Sequence, residues 1–237
     1  MPTEGKLIVK TYLEREEIDR LSDSTGCLRD RLLVLLLFRL GCRVSEALGL
    51  TVDDIDFRHG TVRIEHLKFR TKLDCSSCGA RLGKSHTYCP KCGQTVDKTL
   101  TGERQHRRMR TLHIDAETLA LLREYVDSGN KANKGDGKLI FGINRHRAWQ
   151  IIRDCAARAG LPKLVNPETG REYGVSPHRL RDAFAVHAMR VDDSGDGLRL
   201  LQEQLGHTSF NTTARYRKIA GSELKQWYER LWRKDRQ

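Results

Sequence analysis

The sequence predicts an α+β fold that is mainly α-helical and carries a small antiparallel sheet near the first third of the chain. Apolar residues recur at helical spacing through most of the 237 residues. Two segments, TVRIEHLK at residues 61–68 and MRTLHI at 109–114, instead alternate apolar and polar side chains, which is typical of half-buried strands. A segment rich in cysteine and glycine separates these two strands. A chain of this length can bury a sizeable core without disulfide bonds.

The expected helices follow one another with short breaks. The first is short and polar and begins near Thr11, and Gly41 separates the second from the third. The helices are predicted near residues 11–24, 29–40, 44–50, 116–127, 145–159, 177–190, 196–205 and 222–233. The composition of residues 129–137 indicates a loop, and PETGREYG at 167–174 indicates a turn or hairpin.

The charge balance indicates the kind of partner. The formal net charge is +12, which favours nucleic acid or an anionic membrane. The basic residues are spread along the chain without an apolar anchoring face, so double-stranded DNA is the expected partner and a membrane is not. The longest apolar run, Leu32–Phe38, is far shorter than the ~20 residues that cross a bilayer, and the N-terminus does not resemble a signal peptide. We therefore expect a cytoplasmic, nucleoid-associated protein.

Four of the seven cysteines form two C-x-x-C pairs, each followed by glycine. Ten residues separate the pairs, a spacing at which four thiolates can close a tetrahedral zinc site. Such a site has no open position for a reacting water, so we expect a structural zinc ion and no catalytic metal. The predicted ligands are Cys75, Cys78, Cys89 and Cys92.

Three short motifs outside the cysteine-rich segment suggest phosphodiester chemistry. They are GCRVSEAL at residues 41–48, HRLR at 178–181, and LGH at 205–207, which precedes Tyr216 by nine residues. Two arginines can bind the non-bridging oxygens of a phosphate through bidentate hydrogen bonds. Histidines can hydrogen-bond the same phosphate or transfer protons. A tyrosine hydroxyl beside such cations can act as a nucleophile and form a covalent intermediate.

In order and spacing, these motifs resemble the tyrosine recombinase (phage integrase) family, and the resemblance runs from about residue 11 to 220. It implies an enzyme of DNA recombination or integration that cleaves and rejoins DNA through a 3′-phosphotyrosine, with Tyr216 as nucleophile. It also implies that Glu46 supports the site. The residues implied to bind and activate the phosphate are Arg43, His178, Arg181 and His207.

The family also uses a lysine after its second strand as general acid for the leaving 5′ oxygen. Lys68 matches best, but the insert changes this region, so Lys72, Lys98 or a residue of RRMR at 107–110 stays an alternative. After HRLR, Asp182 stands where the family often has histidine. We expect this departure to have little effect on the chemistry.

The expected organisation is a catalytic domain over residues 1–237, interrupted by a zinc-ribbon insert at 73–97. We expect no N-terminal core-binding domain, since only about 25 residues precede the first core helix; the sequence is then either a trimmed protein or a stand-alone catalytic domain. Without a DNA-clamping domain, the DNA contacts must come from basic residues of this chain. The zinc-ribbon insert either adds to these contacts or only stabilises the long loop between two strands. The candidates are Arg70, Arg107, Arg108, Arg145 and Arg147.

The C-terminal segment carries an apolar helical face that either packs on its own core or docks on a neighbouring subunit. Its members are Leu224, Trp227, Tyr228 and Leu231. We expect the protein to assemble on DNA as a dimer to tetramer. A helper protein is a further candidate partner, and the gene is expected to belong to a mobile genetic element. Two other functions stay open: a DNA-binding zinc protein with idle catalytic residues, and a type IB-like topoisomerase.

Overall fold

A computed structural model describes residues 10–65, 73–83, 86–96, 109–129, 139–166, 169–207 and 209–216. The α-helices within these residues are α1 (Arg15–Asp23), α2 (Leu28–Arg39), α3 (Val44–Leu48), α4 (Ala116–Asp127), α5 (Arg145–Arg158), α6 (Pro177–Val191), α7 (Gly195–Leu205) and α8 (Phe210–Ala214), and a short 3-10 helix covers Val52–Asp54. The strands are β1 (Ile55–Asp56), β2 (Thr61–Glu65), β3 (Leu73–Asp74), β4 (Arg81–Leu82), β5 (Met109–His113), β6 (Leu164–Val165) and β7 (Glu172–Tyr173). The predicted mainly helical α+β class is confirmed.

The chain divides into two compact units, one formed by residues 1–64 together with 110–237 and the other by residues 65–109. In the larger unit α2 is the central helix. Every residue from Leu32 to Phe38 is buried, because α2 packs against α1, α4 and α6. A helix that is apolar on all sides is stable only in such surroundings.

A three-stranded sheet in the order β1-β2-β5 lies in the larger unit. Strands β1 and β2 are antiparallel, with Ile55 opposite Val62. Val62 and Ile64 are buried on one face of β2, as the alternation predicts, and Leu112 of β5 is buried with them in the main core. The second short sheet of this unit is an antiparallel hairpin of β6 and β7, the hairpin expected near PETGREYG.

A smaller apolar cluster joins α6, α7 and the end of α8. Leu198, Leu201 and Leu205 contribute the inner face of α7, and Tyr216 packs among them at 1% exposure. The burial of Tyr216 therefore depends on α7 and α8 closing over the end of α6.

Several details differ from the sequence predictions. The first helix begins at Arg15 rather than near Thr11, because the Glu17 carboxylate accepts a hydrogen bond from the Glu14 amide and caps the helix there. The short elements α8 and β1 were not predicted, since neither is long enough to show a period. The helix expected at 222–233 and most of the 129–137 loop lie outside the described residues. Among the helices that are described, none is long and apolar enough to span a membrane.

Candidate active site and cysteine cluster

The turn between α2 and α3 positions the first arginine. Gly41 adopts a φ of +59°, and a Cβ built there would lie 2.3 Å from the Phe184 ring, so both conformation and space require glycine. The turn places Arg43 at the N-terminus of α3. The Arg43 amide and guanidinium then donate to the two carboxylate oxygens of Glu46, at 2.9 and 2.8 Å.

Glu46 is buried and binds a second arginine. Arg110 of β5 donates to both oxygens of Glu46, at 2.8 and 3.3 Å, and to the carbonyl oxygen of Gln204 at 3.1 Å. Burial opposes ionisation of the carboxyl, but the hydrogen bonds and charge of Arg110 and the bonds from Arg43 outweigh it and hold the pKa of Glu46 at about 2. Glu46 therefore fixes two cationic side chains from different elements.

Arg181 of α6 is held by backbone carbonyls. Its Nη1 donates to the Gly41 oxygen at 2.6 Å, and its Nη2 donates to the Leu205 oxygen at 2.7 Å. Only 3% of the residue is exposed. Burial and the neighbouring charge of Arg43 lower the pKa of Arg181 to about 10. The guanidinium is thus rigidly placed beside another cation, which favours an anion between or near them.

His207 lies directly after the C-terminus of α7, where Gly206 takes a φ of +64°. Its Nε2 is 3.0 Å from Arg181 Nη2, and its Nδ1 is 2.8 Å from the hydroxyl of buried Thr213. Because arginine can only donate, Nε2 accepts and Nδ1 carries the proton that is donated to Thr213. Burial and the charges of Arg181 and Arg43 lower the pKa of His207 to about 4, so the imidazole is neutral at pH 7.

Tyr216 is stacked beside His207, with ring centroids 6.5 Å apart and planes 12° from parallel. Its hydroxyl donates to Asp182 Oδ1 at 2.6 Å and lies 2.7 Å from Nη2 of Arg215. Burial, followed by the charge of Asp182 and this hydrogen bond, raises the pKa of Tyr216 to about 12. In this arrangement the phenol is protonated and bound to a carboxylate.

His178 precedes Arg181 by about one turn of α6, but it is much more exposed than Arg181. Its side chain is 65% exposed, and Nε2 is 3.9 Å from Asp182 Oδ2. Arg179 donates to the same Asp182 oxygen at 3.1 Å. Partial burial of the ring and the charges of Arg179 and Arg215 lower the pKa of His178, against the opposing effect of Asp182.

The structure therefore brings Arg43, Arg181, His207 and Tyr216 together from four separate segments, with His178 at the exposed edge. Paired guanidinium groups beside a hydroxyl can bind a phosphodiester and stabilise the charge that develops when the hydroxyl attacks it. Arg145 and Arg147 lie on the exposed first turn of α5. The remaining predicted residues lie outside the described ranges: Lys68, Arg70, Arg107 and Arg108, together with the alternative lysines Lys72 and Lys98.

Sequence reasoning missed the specific roles of Arg110 and Asp182 and did not single out Thr213. A signal existed for Arg110, because it shares the inward face of β5 with buried Leu112, and a charge on that face needs a partner. The expectation that Asp182 has little effect does not fit its position, because its carboxylate accepts a hydrogen bond from the Tyr216 hydroxyl.

In the smaller unit, two matching turns gather the four cysteines. The Gly79 amide donates to the Cys75 carbonyl and the Gly93 amide to the Cys89 carbonyl, both at 2.9 Å, and both glycines have positive φ. The antiparallel pair β3–β4 and the Tyr88–Thr95 bridge close the turns.

The four sulfur atoms lie within 4.8 Å of one another, and two of the pairs are 3.6 Å apart. Four sulfurs at about 2.3 Å from a zinc ion would be about 3.8 Å apart, so the cluster fits a metal site. Backbone amides of Cys78 and Ser77 lower the pKa of Cys75 to about 6, and the Cys92 amide lowers that of Cys89. The pKa of Cys92 is instead raised to about 12, against the effect of the Gln94 amide, because Cys78 and Cys75 hydrogen-bond to its thiol. Without a cation the cluster therefore shares protons among its sulfurs, and a metal would replace them. His86 lies outside this cluster, and its Nδ1 accepts a hydrogen bond from the Gly83 amide.

Comparison with known proteins identifies the class to which this fold and site belong. The sequence matches the phage integrase family over residues 11–76 and 92–223. It is 30% identical to tyrosine recombinase XerD of Mycobacterium leprae (strain TN) over 234 residues, covering 95% of this chain and 61% of that protein. It is also 30% identical to tyrosine recombinase XerA of Pyrococcus furiosus over 231 residues, covering 97% and 64%. The chain thus spans less than two thirds of the length of these relatives.

Solved structures agree on the fold. A crystal structure of XerA recombinase superposes with a TM-score of 0.62 at 21% identity, covering 99% of this chain and 68% of that one. The XerH site-specific recombinase bound to palindromic difH substrate, in a post-cleavage complex, gives a TM-score of 0.58 at 22% identity and covers 95% and 54%. The chain belongs to the phage integrase family, and the stretch that interrupts the family match, residues 77–91, falls within the cysteine-rich segment.

Proposed function

We propose that this chain is a site-specific DNA recombinase or integrase that cleaves and rejoins DNA strands through a covalent 3′-phosphotyrosine at Tyr216. The observation that carries the proposal is the convergence of Arg43, Arg181 and His207 beside Tyr216 from distant parts of the sequence. Relatives named as tyrosine recombinases, and the XerH recombinase solved on DNA after cleavage, support this activity.

In the proposed reaction, Arg43 and Arg181 bind the non-bridging oxygens of the scissile phosphate, and His178 and His207 complete its surroundings. The Tyr216 oxygen attacks phosphorus, the bond to the 5′ oxygen breaks, and that oxygen takes a proton from Lys68, the proposed general acid. The guanidinium groups stabilise the transition-state charge, so the mechanism uses no catalytic metal. Rejoining reverses these steps when a 5′ hydroxyl attacks the phosphotyrosine.

We further propose that Cys75, Cys78, Cys89 and Cys92 hold a structural zinc ion within a ribbon at residues 73–97. Their sulfur separations and the amides directed at their sulfurs support this assignment, for example the Lys91 amide 3.4 Å from Cys89 Sγ. When bound, the ion would tie the two turns of this small unit together.

DNA is the proposed substrate, which implies a cytoplasmic, nucleoid-associated location. Arg145 and Arg147 are exposed on α5 and suit phosphate contacts. We extend the same role to Arg70, Arg107 and Arg108 on the basis of the net charge of +12. Assembly on DNA as a dimer to tetramer, with or without a helper protein, completes the proposal.

Covalent trapping tests the activity. Wild type and Tyr216→Phe would be incubated with sheared DNA of the source organism and denatured, and the attached DNA would be sequenced. Tyr216-dependent adducts at a few related sites are expected. Scattered Tyr216-dependent adducts would point to a relaxing enzyme of the topoisomerase kind, and the absence of adducts would contradict the proposal.

A further inference from the structure

We propose that Asp182 is a catalytic residue of the strand-cleavage reaction, acting as the general base that removes the Tyr216 proton as the phenol attacks phosphorus. The inference rests on the proposed function and assigns a role to a position where the family often has histidine. In the structure, Asp182 Oδ1 lies 2.6 Å from the Tyr216 hydroxyl oxygen, the atom that would form the new bond.

The surroundings of Asp182 suit a proton acceptor. The residue is only 3% exposed, so no bulk water competes for the phenolic proton at this atom. Arg179 and Arg215 approach its two oxygens at 3.1 and 3.5 Å. Arg179 holds Oδ2, whereas Oδ1 accepts a short hydrogen bond from the phenol and only a longer one from Arg215, so the carboxylate is fixed with Oδ1 on the phenol. A phosphoryl-transfer enzyme can use a carboxylate in the same way, as protein kinases do when an aspartate accepts the proton of a substrate hydroxyl.

Tyr216 needs such a partner. A phenol buried beside a carboxylate is held in its protonated form, and the proton must leave as the oxygen–phosphorus bond forms. Arg215, the other contact of the hydroxyl, can only donate hydrogen bonds and cannot take the proton.

His207 is a second basic group whose ring stacks on Tyr216, and both of its nitrogens are engaged. Nε2 accepts from Arg181, and the proton on Nδ1 is donated to Thr213. With its only lone pair directed at a guanidinium, His207 has no vacant position for the phenolic proton. The geometry therefore favours Asp182 over His207 as the acceptor.

His178 offers the proton a route out. Its Nε2 lies 3.9 Å from the second oxygen of Asp182, and its side chain is 65% exposed. In the complete step, the bond from Tyr216 to phosphorus forms and the bond from phosphorus to the 5′ oxygen breaks. The phenolic proton moves to Asp182 and then to solvent through a water that bridges Asp182 and His178 across their 3.9 Å separation, while the leaving oxygen takes a separate proton from the lysine acid.

The first test measures single-turnover adduct formation on a nicked duplex that carries a site recovered by trapping, with sulfur replacing the bridging 5′ oxygen. Sulfur leaves without protonation, so this probe isolates chemistry on the tyrosine side. Asp182→Asn keeps the shape of the side chain but cannot accept a proton, and we expect adduct formation to slow by about 10²–10³-fold.

Replacement of Tyr216 with 3,5-difluorotyrosine separates base catalysis from a structural role, because the fluorinated phenol loses its proton readily. In the Asp182→Asn background we expect this substitution to restore the rate to within about tenfold of wild type. In the protein that keeps Asp182, the same fluorinated tyrosine should not raise the rate of adduct formation. If Asp182→Asn slows adduct formation equally with tyrosine and with difluorotyrosine at position 216, the inference is overturned. It is also overturned if Asp182→Asn reacts faster than wild type, because the contact with Asp182 would then restrain the phenol.

The pH profile of Asp182→His gives a second readout. Among the residues that the structure describes, the groups facing this position are His178 and Arg179 from α6, and Arg215 and Tyr216 beyond α8. Imidazole accepts a proton only when neutral, so we expect this variant to react but to lose its rate below about pH 6.5, where wild type continues. Matching profiles for the two proteins would contradict the role. A wild-type protein that forms no adduct on the sulfur probe would overturn the proposed function itself and this inference with it.

Discussion

Arg110 donates through Nη2 and Nη1 to the two carboxylate oxygens of Glu46, at 2.8 and 3.3 Å, and so joins strand β5 to the start of α3. Glu46 binds Arg43 through the same two oxygens. One buried carboxylate thus holds a proposed phosphate ligand and ties it to the sheet.

Removing Arg110 should destabilise the protein, since it leaves a buried carboxylate short of a partner. We expect Arg110→Ala to lower the free energy of unfolding by about 3 kcal/mol, measured by urea denaturation at neutral pH. The matched control is Arg63→Ala, which breaks the more exposed pair with Asp54 and should cost less than about 1 kcal/mol. Equal small losses in the two variants would show that the Arg110 contact contributes little.

Glu46 should also make stability depend on pH. Its pKa is about 2 in the folded protein and near 4.5 in the unfolded chain, so its contribution is present above pH 4.5 and is lost as pH falls toward 2. Other carboxylates titrate in the same range, so the relevant quantity is the difference between wild type and Glu46→Gln. That difference should shrink by up to about 3 kcal/mol between pH 6 and pH 2.5. A difference that stays constant with pH would contradict the assignment.

Gly41 should tolerate no side chain. Gly41→Ala must place a Cβ 2.3 Å from Phe184 in a left-handed conformation, and it would displace the carbonyl that holds Arg181. We expect a loss of about 3 kcal/mol in unfolding free energy, combining conformational strain with overpacking. Gly160→Ala is the control, because its φ is +62° but nothing lies within 4 Å of the new Cβ, so only about 1 kcal/mol should be lost. Similar losses at the two glycines would rule out the steric part of this explanation.

Zinc removal should affect the smaller unit selectively. Purified wild type is expected to hold one zinc ion per chain by elemental analysis, and Cys92→Ser should lose most of it. Hydrogen exchange should then accelerate in residues 73–96 and stay slow in α2, because the metal closes only the cysteine turns. Cys27→Ser serves as control, since Cys27 lies outside the cluster. Metal-free wild type with unchanged exchange would contradict a structural zinc.

Salt dependence should report the proposed DNA contacts on α5. Arg147→Ala is expected to weaken binding to unrelated duplexes uniformly and to reduce the slope of log K against log salt by about 0.9, the value for one lost phosphate contact. Lys163→Ala removes an equal charge that lies outside α5 and is already paired with Glu172, and it should leave the slope nearly unchanged. If Arg147→Ala keeps the wild-type slope, the proposed phosphate contact of Arg147 is wrong.

The sequence was informative wherever a pattern repeats or a motif is dense. The seven-residue apolar run predicted α2, and the alternation around Ile64 predicted β2, because burial imposes those periods. The motifs also predicted that Arg43, Arg181 and His207 lie close together, and they do. The contacts among them were not predictable: Arg110 reaches Glu46 across 64 positions and Tyr216 reaches Asp182 across 34, and such pairings arise only from tertiary packing.

The most direct test of the central claim is to identify the residue that becomes joined to DNA. Trapped wild-type complexes would be digested with nuclease and protease, and the modified peptide would be sequenced by mass spectrometry. The proposed mechanism predicts a nucleotide linked through its 3′ phosphate to Tyr216, with no such peptide from Tyr216→Phe. A linkage at another residue, or an adduct that persists in Tyr216→Phe, would contradict it.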